Sequence, residues 1–525
     1  MSAGAAAPYR SRLPAARERF AHLVRAEWTK FRTVRGWVAG AVAATLLTVA
    51  LGLVIAAGSH SSCGAGPVET ACPAPPLGPG GQAVEDRFFF LHRRLEGDGA
   101  ITARLTAMSG VITYPPPGHD RIVSGLVPWA KAGVMVKAAA RPGAPYAAVM
   151  LTGRHGVRMQ HDFTEDVAGR PGGVSQHAPR WLRLVRAGDT LTGYESADGR
   201  SWSRIGTAQV AGLTAAVEVG LFVASPGDLT VKPGSAGGSI VQARFTQASA
   251  VFDHLAVEGR TAGAWQRTEV GDDEAAMTDW ERFHRANGAA ESGGVITVTG
   301  TGDIAPRLDG LRTEMLVTGA LPGLIVVIVV AVLFVTAEYR RGLIRTTLLA
   351  GPRRGRMLAA KALVVGAVAL LAGLVAAAVV LPAGQAILRG NGVVVLPVPQ
   401  LTQARVALGL GALLGLAAVL AMALGALFRR SVAAVVAAIA AVVLPYVLAT
   451  ASVLPEELAQ WLLGLTPAAG FAILQSLPRY PQVTWHYAPA EGFYPLPPWA
   501  GLAVLAGYAA LALGLAAWRL RGRDT

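Results

Sequence analysis

Two long apolar runs, Leu316 to Ala337 and Ala359 to Gly384, flank a stretch from Glu338 to Arg356 that carries six arginines and one acid. At about 1.5 Å per residue each run is long enough to cross the roughly 30 Å hydrocarbon core of a bilayer. A short, strongly cationic loop between two spans stays on the cytoplasmic side. This one stretch therefore orients the whole chain and predicts a multi-pass α-helical membrane protein.

Six spans read in this way: 37–57, 316–337, 359–384, 405–428, 432–454 and 498–518. Residues 1–36 hold eight Lys/Arg against two acids, Arg429-Arg430 join the fourth and fifth spans, and the tail 519–525 carries Arg519, Arg521 and Arg523. The alternate loops, 385–404 and 455–497, hold one arginine each. Every second loop is positive, which predicts a plasma-membrane protein with both termini in the cytoplasm. A composition of 52% hydrophobic and 15% charged residues over 525 positions fits a membrane protein diluted by a soluble part. The net charge of +14 comes largely from arginines beside the apolar runs. Topology and anionic membrane lipid account for it, and no nucleic-acid partner is expected. The first run is longer than a signal-peptide core, so it reads as a span; cleavage near Ala57 is the alternative. Ionisable groups are nearly absent within the spans, which argues against an ion-coupled carrier. Arg405 lies at a span end and is expected to snorkel to the interface.

Residues 58–315 form one large extracellular insertion between the first and second spans. A Pro/Gly-rich linker covers 58–81. Beyond it, Trp181 to Arg186 alternates, Gly188-Asp189 turns, Thr190 to Ser196 alternates again, and Asp198-Gly199 turns before Trp202. Val217 to Val223 reads as an interior strand. Short strands joined by turns predict an antiparallel β-sandwich over 82–260, with additional strands and linker over 261–315. Cys63 and Cys72 have no metal or redox spacing and predict a disulfide in an oxidising compartment; two unpaired thiols in a linker are the alternative.

Two segments suit the cytoplasmic membrane face. In the arginine-rich loop 338–357, Tyr339, Leu343 and Thr347 share a helical stripe and Arg341 and Arg345 form an i, i+4 pair. Glu338 can pair with either arginine or with a basic residue on a partner. The bland reading is a positive anchor on lipid phosphates. Upstream, Phe20, Leu23, Val24 and Trp28 fall on one face with Phe31 extending it, so the segment before the first span is expected to lie along the interface.

These segments resemble type-2 ABC transporter permeases. Ala26-Glu-Trp-Thr-Lys-Phe-Arg-Thr-Val-Arg35 resembles their entry helix, which places Glu27, Trp28, Lys30 and Arg32 at the interface. Glu338-Tyr-Arg-Arg-Gly-Leu-Ile-Arg-Thr-Thr347, followed by Arg353 to Lys361, resembles their first cytoplasmic loop. Leu465 to Ile473 and the Arg-Asp ending also fit. The resemblance implies the membrane subunit of an ATP-driven exporter, paired with a second permease subunit, identical or not, and with separate ATP-binding subunits. The coupling segment is then Glu338, Tyr339, Arg340, Arg341, Leu343, Ile344, Arg345 and Thr347. The insertion resembles concanavalin- or laminin-G-like jelly rolls over about 85–260, a departure from minimal permeases that leaves the cargo open.

No GxxxxGK[ST] phosphate loop is present, so this chain is expected to be no enzyme and to bind no cofactor itself; ATP and Mg belong to the partner subunit. In the insertion, His155, Asp162, Glu165, Asp166 and Glu195 offer calcium ligands or paired acids, with solvated loop acids as the bland reading. Trp181 is expected in the core, while Trp129 and Trp202 either pack or stack on a carbohydrate. The competing function is a membrane-anchored sensor that binds an extracellular carbohydrate or peptide without transport.

Overall fold

The structure, a computed structural model, describes residues 19–61, 74–113, 121–233, 239–271, 287–340 and 354–521. Its helices are α1 (Phe20–Thr33), α2 (Arg35–Gly58), α3 (Ala320–Arg340), α4 (Arg354–Gly390), α5 (Gln400–Phe428), α6 (Ser431–Thr450), α7 (Glu456–Leu465) and α8 (Pro498–Arg521). Among the described residues, α2 to α6 and α8 are long and apolar enough to cross a membrane. Their outward faces carry Leu46, Val54, Leu371, Val432 and Leu511, each at least 56% exposed. So much apolar surface suits lipid rather than water. Trp499 and Trp518 stand exposed near the two ends of α8, about 28 Å apart along its axis, close to the hydrocarbon thickness. These features mark a membrane protein.

The element order is richer than six helices and one insertion. A separate helix, α1, precedes the first apolar helix, and α7 occupies part of the 455–497 loop. A 3-10 turn, Pro467–Leu474, follows α7 at 97°, and the bent pair is apolar enough to count as a seventh span if taken as one. Pro467 has no N–H and disfavours continuation of α7. Thr466 caps the new turn by accepting from the Ala468 N–H. Each piece is too short to register as an apolar run.

Small residues bring the helices together. A Cβ on Gly373 of α4 would lie 2.8 Å from Gly411 Cα of α5, and one on Gly411 would lie 2.9 Å from Leu370 O. Close backbone approach of this kind holds helices together where no hydrophobic effect operates between them. Gly411→Val is expected to destabilise the protein by about 1–3 kcal/mol through overpacking. Gly507→Val on α8, where a Cβ meets open space, is the control. Thermal unfolding of the two variants in detergent makes the comparison.

Between α2 and α3 lies a large antiparallel β domain: β1 (Val84–Asp86), β2 (Phe88–Thr113), β3 (Ile122–Ser124), β4 (Lys131–Lys137), β5 (Tyr146–Thr152), β6 (Val157–His161), β7 (Glu165–Ala168), β8 (Arg180–Ala187), β9 (Thr190–Ser196), β10 (Ser203–Gln209), β11 (Ala216–Ala224), β12 (Asp228–Pro233), β13 (Ser239–Val270), β14 (Gly288–Ser292), β15 (Val295–Gly300) and β16 (Ile304–Pro306). The main path runs β10-β9-β8-β2-β11-β4-β5-β6-β7. β2 is shared by two wings. Its first half pairs with β11 through Val217↔Leu95, and its middle pairs with β8 through Ile101↔Leu184. The wings meet over a common core that includes Leu95, Ile101, Val134, Leu184 and Phe252.

A bend between the two halves of β2 makes this possible. Gly97 takes φ +73°, and opposite it Gly259 of β13 takes φ +110°, at a register shift where Gly259 pairs with Gly99 and Arg260 with Glu96. Only glycine enters that left-handed backbone region at low cost, and the bulge strengthens the local twist. β13 continues past residue 260 to Val270, and β15 pairs with it through Val298↔Ala250. β14 and β15 therefore belong to the same sheet, whereas β16 pairs with β1 in a separate two-stranded ribbon.

β4 is buried along its whole length. Ala132, Val134 and Val136 enter the shared core, whereas Lys131, Met135 and Lys137 point the other way, beneath β1 and β16. Lys131 Nζ lies 2.5 Å from Asp303 Oδ1, and Lys137 Nζ lies 2.7 Å from Asp86 Oδ2. The β domain meets the helices at one end of the bundle. There Gln482 donates to Thr164 O at 2.7 Å, and Asn391 at the end of α4 donates to Ser59 O at 3.0 Å.

Candidate functional site

At the opposite end of the bundle, four charges from three helices converge. α1 supplies Glu27 and Lys30, the last turn of α3 supplies Glu338, and α4 supplies Lys361. Lys361 Nζ donates to Glu27 Oε2 at 2.7 Å and to Glu338 Oε1 at 2.6 Å. Lys30 Nζ donates to the same two residues, at 2.9 Å to Glu27 Oε1 and 3.2 Å to Glu338 Oε1. Two ammonium groups face two carboxylates, so the cluster is formally neutral. Lys361 is fully buried, and Glu27 and Glu338 nearly so. Burial by itself lowers the Lys30 pKa; the hydrogen bond and charge of Glu27, joined by Glu338, outweigh it and hold Lys30 above the ordinary lysine value.

Aromatic rings wall the cluster. Phe334, one turn before Glu338, lies 4.9 Å from Trp37 of α2 and 5.8 Å from Phe31 of α1. Lys361 Nζ sits 5.2 Å from the Phe334 ring, within cation–π range. The i, i+4 spacing places Phe31 beside Glu27 and Phe334 beside Glu338. Each helix thus offers one acid to the shared cation, and α3 adds the ring beneath it.

This arrangement revises the expected role of α1. Glu27 and Phe31 form its buried face, whereas Phe20 and Trp28 are 40% and 45% exposed; Arg32 is exposed as well. The apolar stripe is split: Val24 and Phe31 pack on the bundle core while Phe20 and Trp28 stay outside, because an acid with two lysines to receive it can be buried where a tryptophan is not. Lys361 lies near the start of the third apolar run and reads from the sequence as the end of its positive flank. The available signal was its position about two turns inside α4, counted from Arg354.

Glu338 therefore pairs with Lys30 and Lys361. Tyr339 lies beneath Arg429, whose guanidinium is 5.5 Å from the ring. Arg340 ends α3. Arg341, Leu343, Ile344, Arg345 and Thr347 lie outside the described residues, as do Cys63 and Cys72. The covalent link is nonetheless plain: residues 341–353 join the helix that carries Glu338 to the helix that carries Lys361. Arg354 and Arg519 tie this end further, donating to Leu520 O at 2.7 Å and to Leu427 O at 3.1 Å.

Arg405 does not snorkel outward. It donates to Ile473 O at 3.0 Å and Gln475 O at 2.6 Å, using its planar fork on carbonyls that the end of the 3-10 turn leaves unpaired.

In the β domain the candidate acids are dispersed among structural bonds. Asp166 accepts from Arg158 and from Gln160, Glu195 accepts from the Arg170 N–H at 2.7 Å, and Glu165 is exposed. Among the described residues no group of three His, Cys, Asp or Glu could hold a metal ion. Trp129 is buried and stacks on His155 at 4.0 Å. Trp181 is half-buried outside the shared core, with Arg104 at 5.6 Å and His254 at 5.3 Å, because Leu182 and Leu184 take the inward positions of β8. Trp202 is half-buried beside its turn.

No family model matches the chain, and no curated protein matches it. Among solved structures it is similar to a functionally unknown protein from Saccharomyces cerevisiae, at 15% identity over 33% of this chain and 74% of that one, with a TM-score of 0.19. It is also similar to scytalido-glutamic peptidase bound to a transition-state analogue inhibitor, at 9% identity over 41% of this chain and 98% of that one, with a TM-score of 0.25. A second structure of that peptidase, with a peptide-based analogue, gives 10% identity over the same shares and a TM-score of 0.23. Scores this low carry no argument about this chain.

Proposed function

We propose that this chain is the membrane-spanning permease subunit of an ATP-driven exporter of the ABC type. The observation that carries the reading is the buried cluster of Glu27, Lys30, Glu338 and Lys361. It locks the entry helix, the end of α3 and the start of α4 together beside the arginine-rich loop. In this reading that end of the bundle is cytoplasmic, in keeping with the positive loops, and the β domain is an extracellular jelly roll. A separate ATP-binding subunit, which carries ATP and Mg, docks on 338–357. Movement of that loop is transmitted at once to Glu338 and Lys361, because it joins their helices. A buried network in which each charge faces an opposite one resists separation of its parts, since a stranded charge is costly. It therefore moves α1, α3 and α4 as a unit. A second permease subunit completes the pathway.

The test is purification of the full chain from its own membranes, scored for a soluble ATPase that comes with it. Arg341→Glu with Arg345→Glu is expected to reduce that association at least tenfold. An intact association and intact transport in the double variant contradict the coupling role. Carbohydrate binding by the full chain with no ATPase in the preparation supports the sensor reading instead.

A further inference from the structure

At the β-domain end of the bundle, a cavity of about 400 Å³ opens between the start of α3, the end of α6 and the 3-10 turn Pro467–Leu474. That volume lies within the range of small-ligand sites. Its rim includes Met315, Thr318 and Val447, all exposed, and Leu444, one turn along α6 from Val447, is exposed too. The mouth thus faces the apolar belt of the bundle. One wall is apolar, formed by Leu321, Val447 and Phe471. The far end is charged.

The charged end is built but incomplete. Arg312 is only 2% exposed, its guanidinium stacked 4.6 Å from the Phe493 ring and one nitrogen 3.3 Å from Glu491 Oε2. Among the described residues its Nε and Nη1 have no partner, nor has Glu314 Oε1. Glu314 Oε2 accepts from Ser476. Burial pushes the Glu314 carboxyl above its ordinary value, against the opposing pull of the Ser476 hydrogen bond and of Arg312. Gly492 has φ +74°, and a Cβ there would lie 2.8 Å from Arg312 Nη1 and 3.2 Å from Glu314 Oε1. A glycine therefore keeps space open beside both groups. Buried donors and acceptors are normally satisfied, and several unsatisfied ones in one recess call for a ligand.

We propose that this cavity binds the head of a zwitterionic amphiphile, its anionic group on Arg312 and its ammonium on Glu314, with its chain leaving between Leu321 and Val447. Charge balance selects this head. Arg312 and Glu314 are the charged residues of its lining and oppose one another, so the site has no net charge to attract a simple anion or a simple cation. An anion alone leaves Glu314 unsatisfied, and an amine alone leaves Arg312 unsatisfied. A head with both groups pairs each through a charge-assisted hydrogen bond. The cavity holds a headgroup and the first carbons of a chain, so a second chain stays outside. The inference rests on the membrane-spanning reading but not on the ATPase, so failure of the coupling experiment leaves it standing.

The experiment measures lipid retained by the purified full chain in nanodiscs, with phosphatidylethanolamine and phosphatidylglycerol of identical chains in competition. The expected result is at least a tenfold preference for phosphatidylethanolamine at one site per chain. Single-chain lysophosphatidylethanolamine, added from solution, distinguishes a soluble amphiphile from a bilayer lipid: displacement at equal or lower concentration points to the soluble source. Glu314→Gln keeps an acceptor for Ser476 and is expected to weaken binding tenfold or more. Thr318→Trp blocks the mouth from an exposed position and is expected to weaken it similarly without disturbing the buried groups. Equal retention of the two lipids, or wild-type binding by a folded Thr318→Trp variant, overturns the proposal.

Discussion

Lys361→Met is expected to destabilise the protein by about 3–5 kcal/mol, the cost of leaving a buried carboxylate without its partner. Lys361 is the only member of the cluster that is fully buried and reaches both acids at 2.7 Å or less. Without it, Glu27 and Glu338 share only Lys30, whose side chain is 39% exposed, and two like charges repel in a low-dielectric setting. Lys30→Met is expected to cost about 1 kcal/mol or less, as for other solvent-screened pairs. The double variant Lys361→Met with Glu338→Gln removes one charge of each sign and leaves Glu27 with Lys30 one turn away. It is expected to recover most of the loss. Unfolding midpoints of the full chain in detergent check the series. If the single variant is as stable as the double, the cluster is not the clamp described above. The double variant also separates folding from coupling: it restores the helix assembly without the shared cation that ties α1, α3 and α4.

The second large effect is expected in the β domain. Lys137 Nζ donates to Asp86 Oδ2 at 2.7 Å and to Ala144 O at 3.1 Å, and the Gly143 N–H donates to the same Asp86 oxygen at 2.8 Å. Phe88, Tyr146 and Phe163 surround the ammonium at 5.2 to 5.7 Å. Burial pushes Asp86 up and Lys137 down, and their mutual attraction opposes both shifts. Lys137→Ala removes that attraction from a buried Asp86 whose own Oδ1 already has no partner among the described residues, at a cost of about 3–5 kcal/mol near neutral pH. The pH dependence has a definite sign. The folded variant binds the Asp86 proton more tightly than the unfolded chain does, so its stability falls as pH rises above the ordinary aspartate value of about 4. The deficit relative to wild type is therefore smallest in acid. Lys137→Met with Asp86→Asn keeps an acceptor for Gly143 and is expected to recover most of the loss. Denaturant unfolding at two pH values tests both points; a deficit that does not change with pH excludes Asp86 as its source.

Local pattern made some of this architecture readable. Hydropathy alone locates the apolar helices, because length and composition suffice to identify a segment that can cross lipid. The hairpins at Gly188-Asp189 and Asp198-Gly199 are legible because turn chemistry is local. The reach of β2 and β13 is not, since bulges interrupt their alternation and their pairing joins residues far apart in the chain. The burial of Glu27 escapes notice for a related reason. Hydrophobicity favours Trp28 as the packed residue, yet in a chain that meets lipid an apolar side can be the exposed one and a charged side the buried one.

By itself the sequence determined which segments are apolar helices, where the hairpin strands around Gly188-Asp189 and the interior strand Val217 to Val223 lie, and that positive charge gathers at alternate loops, because each depends on near neighbours in the chain. Only the tertiary structure decided which charges are partners. Glu27 and Lys361 stand 334 positions apart yet meet at 2.7 Å. In a buried, weakly screened environment a charge stabilises or destabilises according to what lies within a few ångströms, and no local pattern records that distance.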